Sequence, residues 1–171
     1  MYKRQGPLSA IALAAFLTAC GGGTSNNVPP QSITLSGTAA YGAAYPEGSK
    51  LVVYNAQGSE VTNTVLNSSA GTYSLSIPAS TPGPLVVTVS ANDLPTLVSV
   101  TASAKVESST INVTPITNLI AASLTSTGNP LQLITEIPTI APQTVSEKKT
   151  EVVNYLKTLQ TTLNDLSLIH I

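Results

Sequence analysis

Cys20 is the only cysteine of the 171 residues, and its setting is unusual. Lys3 and Arg4 precede an apolar run of twelve residues from Leu8 to Ala19, and Leu17-Thr18-Ala19 leads straight into Cys20 and Gly21-Gly22-Gly23. Other groups able to do chemistry are sparse. His170 is the only histidine, so no histidine-based dyad or triad can form in the body of the chain. A zinc site needs several Cys, His or carboxylate ligands, and only scattered acids remain. Glu47, Glu60, Asp93 and Glu107 are candidates for a glycosidase-like carboxylate pair, yet nothing in the sequence brings any two of them together. No serine lies in Gly-x-Ser-x-Gly or in a supported Ser-x-x-Lys motif. The glycine run has neither a preceding strand nor a following helix-borne lysine, as a phosphate loop requires.

The N-terminal apolar run is the length of a signal peptide. At about 1.5 Å per residue it makes about 18 Å of helix, short of a hydrocarbon core about 30 Å thick. Leu17-Thr18-Ala19-Cys20 resembles the bacterial lipobox, in which the cysteine receives diacylglycerol and the peptide is cut before it. The resemblance implies a signal peptide over 1–19, with Leu17, Thr18 and Ala19 recognised by the peptidase, and lipid on Cys20. The spacing suits that chemistry, because the thiol emerges at the membrane surface just past the apolar helix. Two or more acyl chains make a durable anchor, whereas one binds marginally. In enterobacterial systems an aspartate after the cysteine signals inner-membrane retention. Gly21 stands there instead, so the expected location is the outer membrane, on its periplasmic or its surface side.

The other end carries a different signature. Leu166-Ser167-Leu168-Ile169-His170-Ile171 matches, residue for residue, the in-frame translation of a transposase sequencing adapter. Residues 166–171 are therefore expected to be adapter-derived, with the natural protein continuing beyond Asp165. His170 then leaves consideration as well.

Between Cys20 and Asp165 lie five lysines, no arginine and eight acidic residues. No basic patch exists to neutralise phosphates, which argues against a nucleic-acid partner. Residues 20–31 form a lipidated tether of Gly, Ser, Asn and Pro, with Pro29-Pro30 favouring extended chain. Residues 32–113 then read as a β-sandwich. Ile33, Leu35 and Gly37 open the first strand, Lys50–Tyr54 makes the second, and Asn55-Ala56-Gln57-Gly58 turns the chain. Glu60–Leu66 is a third, with Val61 and Val65 as its apolar positions. Tyr73, Leu75 and Ile77 alternate with Thr72, Ser74 and Ser76 in the period-2 pattern of a half-buried strand. Leu85, Val87 and Val89 alternate again, followed by strands over Leu97–Ala102 and Ser109–Val113. Seven short strands without intervening helices predict a mainly β fold, a small antiparallel sandwich followed by an α-helical region.

Ser36-Gly37-Thr38, Leu51-Val52-Val53-Tyr54 with Gly58, and Ala70-Gly71-Thr72-Tyr73-Ser74-Leu75 resemble the carboxypeptidase-regulatory-like, transthyretin-related β-sandwich. About sixty residues are covered, and Asn67-Ser68-Ser69-Ala70 stands where that family carries an acidic turn. The resemblance implies a structural module and names no chemistry.

Residues 114–165 are helical in pattern. Thr114 can cap and Pro115 suits the first helical position, with Ile116, Leu119, Ile120 and Leu124 as the expected buried face. Asn112 to Ile120 resembles a junction that follows a β domain in uncharacterised bacterial lipoproteins. Pro130–Pro142 reads as a packed connector or short helix. A last helix starting at Thr144 or Ser146 carries the stripe Val145, Val152, Leu156, Leu159 and Leu163, expected to pack in the core.

The leading reading is an exported lipoprotein with a structural or protein-interaction role, no enzyme, and neither cofactor nor metal. Its partners are the membrane, through lipid on Cys20, and an envelope protein or glycan. One rival is a carbohydrate-binding or adhesive module, with Tyr41 and Tyr45 of a strand-connecting loop as ligand contacts. Another is the non-catalytic N-terminal part of a larger enzyme.

Overall fold

The computed structural model describes residues 31–104 and 108–169, with side chains as far as Asn164. Two sheets face each other. The smaller contains β1 (Ser32–Thr38), β6 (Thr72–Pro78) and β9 (Ser108–Thr110) in the order β6-β1-β9. The larger contains β4 (Lys50–Tyr54), β5 (Glu60–Val65), β7 (Leu85–Ala91) and β8 (Leu94–Thr101) in the order β5-β4-β7-β8. Two-residue strands β2 (Ala40–Tyr41) and β3 (Ala43–Ala44) pair in a hairpin beside them. The mainly β sandwich with a helical C-terminal region is therefore the observed architecture.

Period-2 alternation builds the core between the sheets. Ile33, Leu35, Tyr73 and Ile77 point inward from the smaller sheet against Leu51, Val53, Leu85, Val87, Val89 and Leu97 of the larger. On the opposite face of the smaller sheet, Ser and Thr dominate and meet water. Pairing is antiparallel throughout except at β9, which runs parallel to β1 with Leu35 opposite Ser109. Strand direction leaves no mark on side-chain alternation, so this parallel edge departs from the expected antiparallel sandwich. The ladder extends beyond β9 through Ile111 N–H to Ser36 O at 2.8 Å and Val113 N–H to Thr38 O at 2.9 Å.

A second apolar core lies on the outer face of the larger sheet. Val86, Val98 and Val100 pack there against Ile120, Ala121, Leu133, Ile137, Val145 and Val152. These last come from α1 (Pro115–Ser123), α2 (Leu133–Glu136), the 3-10 turn Ile137–Thr139 and α3 (Pro142–Ile169). The helices thus form a third layer. Thr114 caps α1 by accepting the Thr117 N–H, while Thr117 Oγ1 accepts the Thr114 N–H at 2.8 Å. This reciprocal pair satisfies two amides that the first helical turn leaves unpaired.

Two expected helix faces change in the structure. Ile116 and Leu119 are about half exposed (51% and 47%), and Ile120 with Ala121 faces the sheet. In α3 only the first part of the stripe is packed: Val145 and Val152 are buried, whereas Leu159 and Leu163 are exposed. Val65 is also exposed, and the next residue, Leu66, enters the core.

The β4–β5 turn locks the layers together. Gly58 has φ 71°, and a Cβ there would lie 2.3 Å from the Ile134 carbonyl oxygen of α2. Glycine permits both that left-handed backbone and the close approach.

Candidate functional site

The two tyrosines expected to contact a ligand separate. Tyr45 is fully buried, and its hydroxyl donates to the Pro95 carbonyl. Burial first, and the nearby Tyr41 phenol second, push its pKa above the ordinary phenol value. Tyr45 is therefore corrected from a ligand contact to a core residue: its ring fills the sandwich and its one donor is already engaged. Tyr41 stays about half exposed on β2, opposite Ala43 across Gly42, whose φ is 73°.

A cleft of about 510 Å³ lies nearby, at the end of the larger sheet. One wall is the chain from Pro46 to Lys50 and the other runs from Ser90 to Leu94. The antiparallel pairing of β4 with β7 sets Lys50 opposite Ser90 and so brings the two walls together. Both walls are held by local hydrogen bonds. Gly48 N–H donates to Leu66 O at 2.8 Å, Leu66 N–H donates to Ser49 O at 2.9 Å, and Ser49 Oγ donates to Pro46 O at 2.6 Å. On the other side Ala91 pairs with Leu94, leaving Asn92-Asp93 as a two-residue connection.

The cleft collects two of the carboxylates singled out in the sequence, Glu47 and Asp93, together with Lys50 and Asn92. Pro46, Ala91 and Leu94 supply apolar surface. Among the described residues, no hydrogen bond or ion pair engages the side chains of Glu47, Lys50, Asn92 or Asp93. Glu60 is elsewhere, on β5, accepting from Asn63 Nδ2 at 2.6 Å. The two carboxylates are far apart in sequence, and the strand register that brings them to one cleft is non-local.

Leu17, Thr18, Ala19, Cys20, Glu107 and His170 lie outside the described residues. Among the described residues, no group of three His, Cys, Asp or Glu side chains is placed to hold a metal ion. No described helix is long and apolar enough to cross a membrane.

No protein-family model matches the chain, and no curated protein matches it. Among solved structures the chain is similar to a DUF3823 family protein from Parabacteroides merdae ATCC 43184, at 16% identity and a TM-score of 0.31. The match covers 50% of this chain and 47% of that one.

Proposed function

We propose that this is an exported lipoprotein, held to the outer membrane by lipid on Cys20, whose folded part has a structural or protein-interaction role and no catalytic one. The observation that carries the reading is the placement of Cys20. It follows a short apolar run behind Lys3 and Arg4, and the first strand opens at Ser32. The intervening Gly, Ser, Asn and Pro residues would space the sandwich up to about 30 Å from the membrane when extended. The sandwich supports the second part of the reading. Ser36-Gly37-Thr38 falls in β1, Leu51–Tyr54 in β4 and Thr72–Leu75 in β6, a disposition in keeping with a transthyretin-related structural module.

Metabolic labelling with an alkynyl fatty acid tests the anchor. The protein should be labelled and shortened, and Cys20→Ala should remain unlabelled at precursor size. A labelled, mature-sized Cys20→Ala product would refute lipidation at that residue. Sucrose-gradient fractionation should place the labelled protein with outer membrane, and recovery only with inner membrane would reverse the sorting assignment.

A further inference from the structure

We infer that the cleft between Pro46–Lys50 and Ser90–Leu94 binds a neutral saccharide of one or two rings. This rests on the exported reading for where such a ligand is met, but its chemistry comes from the cleft alone. At about 510 Å³, the cleft falls within the range of roughly 300–1,000 Å³ usual for small-molecule sites. A sugar hydroxyl both donates and accepts, so it needs both kinds of partner at one site. Glu47 and Asp93 accept, the Lys50 ammonium donates, and the Asn92 amide does both. Among the described residues none of these side chains has a hydrogen-bond or ion-pair partner, so no bond within the described fold has to break for a ligand to bind. The ammonium offsets one of the two carboxylates, which disfavours an anionic ligand. Pro46, Ala91 and Leu94 give apolar surface for the C–H faces of a ring. The backbone bonds of Gly48, Ser49 and Leu66 fix one wall before any ligand arrives, which limits the ordering cost of binding.

Titration of the detergent-solubilised full-length protein tests this, followed by ligand-observed NMR. The probes are glucose, galactose, mannose, N-acetylglucosamine and their 1,4-linked disaccharides. At least one should bind saturably, and Asp93→Ala and Asn92→Ala should each weaken it about tenfold or more. Tyr41→Ala should leave binding unchanged, because Tyr41 does not line the cleft. Should Asp93→Ala fold poorly by circular dichroism, Asp93→Asn and Glu47→Gln probe the same hydrogen bonds. Absence of binding across the panel overturns the proposal, as does affinity that survives the cleft substitutions or vanishes with Tyr41→Ala. Lipid labelling is read separately on the same preparation, so loss of sugar binding and loss of the anchor cannot be confused.

Discussion

The Asn118 side-chain carbonyl accepts the Val98 N–H at 2.9 Å, tying α1 to β8, the edge strand of the larger sheet. An edge strand presents unpaired amides, and each one buried without a partner is costly. The neighbouring residues work in the same way. Asn112 Oδ1 accepts the Thr38 N–H at 3.0 Å, and Thr114 and Thr117 close the helix start between them. The segment from Asn112 to Asn118 thus joins the smaller sheet, the helix and the larger sheet through side-chain oxygens.

Asn118→Ala should therefore lower stability by about 1–2 kcal/mol, since it leaves a partly buried N–H without its acceptor. Asn118→Asp keeps an acceptor and should retain most of that stability. Urea denaturation midpoints measured side by side would test this, and an Asn118→Ala midpoint equal to the parent's would remove the role assigned to this bond.

Tyr73 predicts a loss of stability at alkaline pH. Its ring is buried, its hydroxyl donates to the Ile111 carbonyl, and burial holds its pKa far above the ordinary phenol value. Below about pH 10 the phenol is protonated in both folded and unfolded chains, and its contribution is complete. As pH rises further the unfolded phenol ionises while the folded one keeps its proton. Stability then falls, by at most about 1.4 kcal/mol per pH unit from this group. Tyr73→Phe should be about 1 kcal/mol less stable at neutral pH and show a shallower fall above pH 10. Parallel slopes for the two proteins would contradict the assignment.

The helix layer gives a paired comparison. Ile137 is fully buried between the helices and the larger sheet, whereas Ile116 is half exposed. Ile137→Ala should cost about 2–5 kcal/mol through lost burial and a cavity. Ile116→Ala should stay within about 0.5 kcal/mol of the parent. Thermal unfolding of the two variants decides which face of α1 and its connector meets the sheet; similar losses would contradict the observed packing.

These contrasts also show what was legible in the sequence. Strand β4 occupies Lys50–Tyr54, the apolar run that ends at the Asn55–Gly58 turn, and Thr114-Pro115 starts α1 where capping chemistry puts it. β7 is only half legible. Leu85, Val87 and Val89 face the inner core as expected, but Val86 and Thr88 are buried too because the helices cover that side. Its nearly unbroken apolar run is the mark of a strand covered on both faces. In α1, apolarity pointed to Ile116 and Leu119, yet the polar Asn118 lies toward the sheet because Val98 needs an acceptor. The cleft was illegible for a different reason. Glu47 and Asp93 line one cleft because the register of β4 on β7 sets Lys50 opposite Ser90, and no local pattern encodes which residues of two distant strands stand opposite.

The stripe of α3 leads to the last expectation. Val145 and Val152 are held in the outer core and Leu156 is partly covered, but Leu159 and Leu163 leave the body of the protein. Every described residue from Lys157 to Asn164 is exposed. A helix segment without tertiary packing is marginal in water, because most helical stability in proteins comes from an apolar face being covered. Side chains in this stretch offer little compensation: Thr158, Thr161 and Thr162 each bond a backbone carbonyl four residues back, an arrangement that slightly weakens a helix. Amide hydrogen exchange followed by mass spectrometry should therefore show protection from Val145 to Leu156 and a steep decline from Thr158 to Asn164. The measurement uses the 171-residue chain, dilute enough to be monomeric. Uniform protection along the helix would mean that Leu159 and Leu163 are covered in solution by something the isolated fold does not provide.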